Sequence, residues 1–323
     1  VQQVLAGLER GERRALARAL TLVEDGDPAR LRQIIGAIHP RTGRARVIGI
    51  TGSPGVGKST LTNAVAAALR AQGRSVAILA VDPSSPFSGG ALLGDRVRMQ
   101  GHHADPDVFI RSMASRGHLG GLSFATPQAV LVMDAAGFDD VIVETVGVGQ
   151  SEVEIAATAD TTVVALAPGM GDGVQAAKAG ILEVADVLVI NKADRGGAGQ
   201  LESELRGMLE MGHALEGPDA PEGWWPPVVR TVAVRDEGVA EVVAAIDDHG
   251  RHLTASGRRD QRHRERSLHA IREIALETVR RRFARLDDGQ DALLDALASK
   301  VASRDLDPYA AADELLAALD GAM

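Results

Sequence analysis

The run Gly52-Ser53-Pro54-Gly55-Val56-Gly57-Lys58-Ser59 carries the spacing G-x-x-x-x-G-K-[ST], and its residue types answer the needs of phosphate chemistry. Gly52, Gly55 and Gly57 can take backbone angles that aim successive N–H groups at one point, a cradle for an anion at the positive end of a helix. Lys58 would reach the β and γ phosphates, the Ser59 hydroxyl would reach Mg²⁺, and Thr60 would hold an α phosphate through its hydroxyl or backbone. A glycine-rich turn with an incidental lysine is the alternative. The placement argues against it, because the run joins the strand-like VIGIT (47–51) to a helical pattern.

Asn191-Lys192-Ala193-Asp194 follows a second apolar strand pattern and so belongs at the same carboxyl edge of a sheet as the phosphate loop. A carboxylate such as Asp194 can accept from guanine N1–H and its exocyclic amine, whereas adenine presents no such donor pair. GTP and GDP are therefore the expected ligands. Lys192 would lie along the base plane, Asn191 would brace neighbouring loops, and a backbone N–H from Val232, Ala233 or Val234 would meet guanine O6. A plain surface turn is the alternative for Asn191–Asp194 taken alone.

Acidic residues at strand ends are needed for the metal and the γ phosphate. Asp82, Asp95 and Glu144 are the candidates, together with Ser59. Glu144 is followed by Thr145-Val146-Gly147, a [DE]-x-x-G arrangement in which the Gly147 N–H can sense a γ phosphate. Lys58, Glu144 and Gly147 thus form the expected catalytic set. Asp82 also reads as a turn aspartate before Pro83, and Asp95 as a helix cap. Arg96, Arg98 and Arg116 could stabilise transition-state charge or lie solvated on loops. The phosphate loop holds no covalent nucleophile, so direct attack by water is expected; Gln150 is either its orienter or a helix start.

These residues need a scaffold, and the pattern of the chain supplies one. From Arg46 short apolar runs alternate with helical stretches: VIGIT, VAILAVD (76–82), VFIRSM (108–113), DVIVETV (140–146), TTVVALAP (161–168), DVLVINK (186–192) and PVVRTVAV (227–234). Such runs predict an α/β, P-loop NTPase fold with a mainly parallel sheet flanked by helices over residues 46–250. Residues 1–45 read as two or three leading helices broken at Gly26-Asp27-Pro28. Residues 251–323 read as a helical arm: a long amphipathic helix over Arg258–Arg285, then helices near Ala292–Val301 and Ala310–Leu319, with Gly289 and Pro308 as breaks.

Composition narrows the function classes. With 45% hydrophobic and 24% charged residues in 323, and no long uncharged apolar run, no membrane span is expected. The first residues lack the features of a secretory signal, and cysteine is absent, so a cytoplasmic setting is expected and thiolate metal sites are excluded. The net charge of −9 disfavours nucleic acid. The segment Arg258–Arg285, with ten arginines against four acids, reads as a dimer arm or solvated face in preference to an RNA-binding stripe. His102-His103 reads as a loop feature, and a metal-delivery role has no histidine-rich or cysteine cluster behind it. The pair Trp224-Trp225 is either a packed loop or a docking point.

The strings VDPSSPFSGGALLGDRVRM, FIRSMASRGHLGGLS, IVETVGVGQSE and APGMGDGVQAAKAGILEVADVLVINKAD resemble the MeaB/ArgK family of GTPases that accompany methylmalonyl-CoA mutase. The resemblance covers residues 45–250 closely and extends to the layout of both helical ends. It implies a homodimer assembled through the C-terminal arm. It also implies a partner, an adenosylcobalamin-dependent acyl-CoA mutase such as methylmalonyl-CoA mutase, whose cofactor loading and protection are gated by GTP; no cobalamin site is expected in this chain. By the same resemblance Asp82, Asp95 and Glu144 belong to the Mg²⁺ and switch region. Gly169–Gly180 becomes a further switch segment, where Asp172, Gln175 and Lys178 match positions of partner coupling. On physics alone those three read as a polar loop and helix start. Arg195-Gly196-Gly197 and Gly173-Val174 depart from the more polar residues of close relatives. A protein-kinase activity, a label that ArgK-type sequences have carried, is the competing reading; no phosphoacceptor pocket or general base beyond the hydrolytic set supports it.

Overall fold

The computed structural model describes residues 1–82, 105–114, 124–145, 147, 151–169, 182–216, 223–287 and 291–321. Two compact units divide the chain, Val1–His263 and Arg264–Met323.

The first unit begins with helices α1 (Gln2–Glu9), α2 (Arg13–Asp25) and α3 (Pro28–Ile38). Gly26 ends α2 in the left-handed region at φ 73°, a conformation that costs glycine little. Asp27 then starts α3 by accepting from the Arg30 N–H at 2.8 Å, with Pro28 in the first turn. The break at Gly26-Asp27-Pro28 is therefore one helix's stop joined to the next one's start.

Seven strands follow: β1 (Arg46–Thr51), β2 (Val76–Asp82), β3 (Val108–Ala114), β4 (Asp140–Glu144), β5 (Thr161–Leu166), β6 (Val187–Ile190) and β7 (Val228–Arg230). They pair in parallel throughout, in the order β3-β2-β4-β1-β5-β6-β7. Between them run α4 (Lys58–Ala71), α5 (Ala125–Ala135), α6 (Ser151–Thr158), a single turn at Leu182–Val184 and α7 (Ala198–Glu216), and α8 (Val239–Ala255) follows β7. Alternate residues of each strand face opposite layers. Val47, Leu79, Val81, Met113, Val141 and Val143 share a core with Leu16, Leu20, Val23, Ile34 and Ile38 of α2 and α3 and with Met133 of α5. Ile48, Ile50, Ile78, Ile142, Val163 and Val189 pack with Leu61, Val65 and Leu69 of α4 and Val242, Val243 and Ile246 of α8. The leading helices thus help to cover one face of the sheet, and burial on both faces explains the near-continuous apolar runs of the strands.

The last strand is shorter than PVVRTVAV suggests. The Thr231 N–H still donates to the Ile190 carbonyl of β6 at 2.9 Å, but beyond it the backbone donors turn away from the ladder: the Val232 N–H donates to the Glu237 carbonyl at 2.9 Å, and the Ala233 N–H to Asn191 Oδ1 at 3.2 Å. Residues Ala233–Arg235 accordingly form a 3₁₀ turn.

At the amino edge of the sheet lies a polar network. His249 of α8 is fully buried, with Nδ1 2.9 Å from Thr161 Oγ1 and Nε2 3.2 Å from Asp186. Asp186 also takes the Arg262 guanidinium at 2.7 and 3.1 Å. Trp224 packs against His249 with ring centroids 4.9 Å apart and ring planes tilted by 52°, and donates its indole N–H to the Asp186 carbonyl at 2.7 Å. Burial lowers the His249 pKa from 6.5 to about 4, against the pull of Asp186.

The long helix α9 spans Arg258–Asp287, followed by α10 (Asp291–Ala302) and α11 (Pro308–Gly321). Within the second unit α10 and α11 pack together, with Leu297 and Ala311 buried and Lys300 3.7 Å from Glu314. On α9, Leu268, Ile271, Ile274, Leu276 and Val279 are exposed. No helix among the described residues is long and apolar enough to cross a membrane.

Candidate nucleotide and magnesium site

The phosphate loop connects the carboxyl end of β1, the central strand, to the first turn of α4. Its shape depends on glycine at two close approaches. At Gly52 (φ 136°) a Cβ would overlap the Ala165 carbonyl oxygen on β5, and at Gly57 (φ 97°) it would come within 2.5 Å of Asn191 Nδ2. Pro54 and Gly55 at the tip are exposed, Ser53 and Gly57 are partly buried, and Val56 is anchored in the core. Lys58 is buried and donates to the Gly52 and Ser53 carbonyls at 2.8 and 3.2 Å, which stretches its side chain back along the loop. Thr60 follows in the same first turn, partly buried.

Ser59 donates from Oγ to Glu144 Oε1 at 2.5 Å. Glu144 ends β4, and Asp82 ends the adjacent β2, where Ala80 is paired with Glu144 in register. Both carboxylates are buried. A hydroxyl and two buried carboxylates at neighbouring strand ends form a hard oxygen donor set, and these residues fit a magnesium ion that also takes phosphate oxygens. Gly147 (φ 80°) lies against the loop: a Cβ there would overlap the Gly52 carbonyl oxygen and approach Lys58 Nζ to 2.5 Å. Asp95, Arg96, Arg98, Arg116, Gln150, His102-His103 and the segment with Asp172, Gln175 and Lys178 lie outside the described residues.

Asn191 ties the base side to the phosphate side. Its Nδ2 donates to the Val56 carbonyl at 2.9 Å, while Oδ1 accepts from Thr231 Oγ1 at 3.1 Å and the Ala233 N–H at 3.2 Å. Lys192, at φ 56°, reaches from the end of β6 to the Gly55 carbonyl. Asp194 is exposed on the turn that follows, Val232 and Ala233 are buried beside Asn191, and Val234 is 76% exposed. The geometry therefore assembles a glycine-shaped phosphate loop, a pair of acid-bearing strand ends and the carboxylate-bearing loop after β6 at one sheet edge.

Two contacts here were not visible in the motifs. Thr51 and Thr145 share a buried hydroxyl–hydroxyl hydrogen bond of 2.8 Å between β1 and the residue after β4. Arg235 donates from Nη2 to Asp194 Oδ2 at 2.6 Å. Both partners of the first sit next to motif residues, which was the available signal; for Arg235 the only hint was its place just beyond Val232–Val234.

Comparison with known proteins agrees with this geometry. A family model described as "Methylmalonyl Co-A mutase-associated GTPase MeaB" matches residues 16–287. A protein of Pyrococcus abyssi named as a GTPase is 46% identical over 323 residues, spanning 99% of this chain and 97% of its own. A mouse protein named "Methylmalonic aciduria type A homolog, mitochondrial" is 34% identical over 341 residues, spanning 98% of this chain and 79% of its own. The crystal structure of an LAO/AO transport system kinase superposes with a TM-score of 0.68 at 32% identity, covering 99% of this chain and 97% of that one. With a P-loop fold, a guanine-type base loop and relatives named as GTPases, the chain is a GTP hydrolase, and it belongs to the MeaB family of methylmalonyl Co-A mutase-associated GTPases.

Proposed function

We propose that this GTPase is the nucleotide-driven chaperone of an adenosylcobalamin-dependent acyl-CoA mutase, methylmalonyl-CoA mutase in the first instance, and that GTP gates cofactor loading and protection or reactivation of the mutase. The observation that carries the reading is the match of residues 16–287 to a family described by its association with that mutase. The site supports a switch. Gly147 sits against Gly52 and Lys58 of the phosphate loop; in this reading its N–H registers the γ phosphate, and loss of that phosphate breaks the contact. Lys58 and the loop N–H groups would hold the β and γ phosphates; Ser59, Asp82 and Glu144, joined by Asp95, would hold Mg²⁺, which neutralises charge on the phosphate oxygens when bound. Asn191, Lys192 and Asp194 would seat guanine beside Val232–Val234. Asp172, Gln175 and Lys178 are assigned to partner coupling by resemblance alone.

The exposed apolar residues of α9 fit burial in a homodimer, since a solvated stripe of Leu268, Ile271, Ile274 and Val279 is costly to leave open. The arm from 251 to 323 is the dimerisation element in this reading. The test is co-purification of the chain with candidate cobalamin-dependent mutases in the GDP state and with a non-hydrolysable GTP analogue. Binding that differs between the two states is expected; if no mutase binds in either, the chaperone role fails while the GTPase stands. Phosphate recovered on an added transport-binding protein, instead of in solution, would favour the kinase activity named for the superposed structure.

A further inference from the structure

Arg235 is borne by a turn with little freedom. The turn Ala233–Arg235 is closed by the Arg235 N–H donating to the Val232 carbonyl at 2.8 Å and by the antiparallel bridge between Val232 and Glu237. Gly238, at φ 76°, packs so tightly that a Cβ would overlap the Arg230 carbonyl oxygen. Asn191 holds the same turn through Thr231 and Ala233, and the Ala193 N–H donates to the Thr231 carbonyl at 3.0 Å. The backbones of Asp194 and Arg235 are thus fixed to one another before their side chains meet.

The side-chain contact then has a specific consequence for the base loop. An aspartate carboxylate rotates readily about its last bond, because that torsion has broad, roughly two-fold wells. Accepting two donors from a guanine edge requires one orientation of the carboxylate plane. Arg235 Nη2 engages Oδ2 of Asp194 at 2.6 Å, and Nη1 lies 3.4 Å from Glu237 Oε1. An ionised carboxylate offers about four lone-pair sites, so one guanidinium contact leaves capacity for both guanine donors. We propose that Arg235 is a specificity-determining positioning residue, which orients the Asp194 carboxylate for simultaneous acceptance from guanine N1–H and the 2-amino group. The inference rests on Asp194 being the base-reading carboxylate. Pre-orientation spares the ligand the cost of ordering that side chain.

Hypoxanthine has the N1–H but lacks the 2-amino group, so inosine diphosphate separates orientation from mere charge. Competition binding of GDP, IDP and XDP is measured on the full chain and on Arg235→Ala, Arg235→Lys and Asp194→Asn. Arg235→Ala is expected to weaken GDP by about two- to fivefold, the range for losing an exposed charged contact. IDP should weaken less, so that the GDP-to-IDP preference falls, and Arg235→Lys should recover part of it. The nucleotide-free unfolding midpoint reads any purely structural effect. An unchanged GDP-to-IDP preference in Arg235→Ala would overturn the proposal, as would tighter GDP binding, which would mean that Arg235 competes with the base. Asp194→Asn should exchange GDP preference for XDP, because an amide can donate to the xanthine 2-oxo group. Failure of that exchange would remove the base-site reading itself and Arg235's role with it.

Discussion

The Ser59 hydroxyl and the Glu144 carboxylate meet at 2.5 Å, across 85 positions of sequence. The contact joins the first turn of the phosphate-loop helix to the end of β4, and so it brings together the hydroxyl and the carboxylate that the proposed function assigns to Mg²⁺ from two separate motifs. A cation placed between phosphate and protein would draw on both oxygens, which makes their joint dependence on Mg²⁺ measurable.

Replacing Ser59 by Ala, or Glu144 by Gln, is expected to raise the Mg²⁺ concentration for half-maximal GTP turnover by about tenfold and to lower the maximal rate, since each change removes an oxygen donor from the hard-cation set. Titration of turnover with Mg²⁺ at saturating GTP measures both effects. A midpoint that stays where it is in both variants would place the metal elsewhere.

Gly147→Ala tests the γ-phosphate contact. The added methyl has no room beside the Gly52 carbonyl oxygen and Lys58 Nζ, and its φ of 80° is strained for alanine. Affinity for a non-hydrolysable GTP analogue is expected to fall more than affinity for GDP, by about tenfold or more, the scale of losing a charged hydrogen bond. Equal losses for the two nucleotides would show a general distortion of the loop in place of a γ-phosphate sensor.

Asn191→Ala leaves the Val56 carbonyl, the Thr231 hydroxyl and the Ala233 N–H without the amide that now serves all three. Each lost partner in a buried place costs roughly 1–3 kcal/mol, and relaxation reduces the sum. A drop of several degrees in the unfolding midpoint is expected together with weaker GDP binding. Loss of GDP affinity at unchanged stability would mean that Asn191 acts on the ligand directly and not by bracing the loops.

His249 makes stability depend on pH. Facing it are Asp186 and Asp160, which favour its charged form, and Arg262 and His252, which oppose it, and burial dominates to set its pKa at about 4 against 6.5. The unfolded chain therefore binds a proton between pH 6.5 and 4 that the folded chain refuses. The stabilisation is complete above about pH 6.5 and is lost as pH falls towards 4, amounting to at most about 3 kcal/mol. Urea midpoints at pH 7.5 and 5 should differ less in His249→Gln than in the native chain. An equal difference in both would show that other groups carry the acid sensitivity.

How much of this was legible depends on how local the information is. The glycines of the phosphate loop announce its shape because their φ values are a property of single residues, and Gly52 and Gly57 take the left-handed angles that the motif needs. Leu16, Leu20 and Val23 show the helical period of α2, and the unbroken apolar runs show a sheet buried on both faces. That Asn191 would brace loops follows from its residue type and place. That its partners are Val56, Thr231 and Ala233 does not, because three distant segments must fold before they meet. The run PVVRTVAV reads as one strand since β-branched residues suit a strand; the turn at Ala233–Arg235 wins because Asn191 and Glu237 take the backbone partners first. Arg235 and the His249–Asp186–Arg262 network carry no motif at all, being set by packing between segments far apart in sequence.

The most direct test of a GTP-gated mutase chaperone is the rate of phosphate release from GTP, measured with saturating Mg²⁺ in the absence and presence of an adenosylcobalamin-dependent acyl-CoA mutase. The chain alone should turn over slowly, because GTPases of this switch type lack, until a partner completes the site, part of the charge that stabilises the transition state. Adding the cognate mutase should raise the rate several-fold or more. Equal rates with and without every candidate mutase would contradict the proposed coupling.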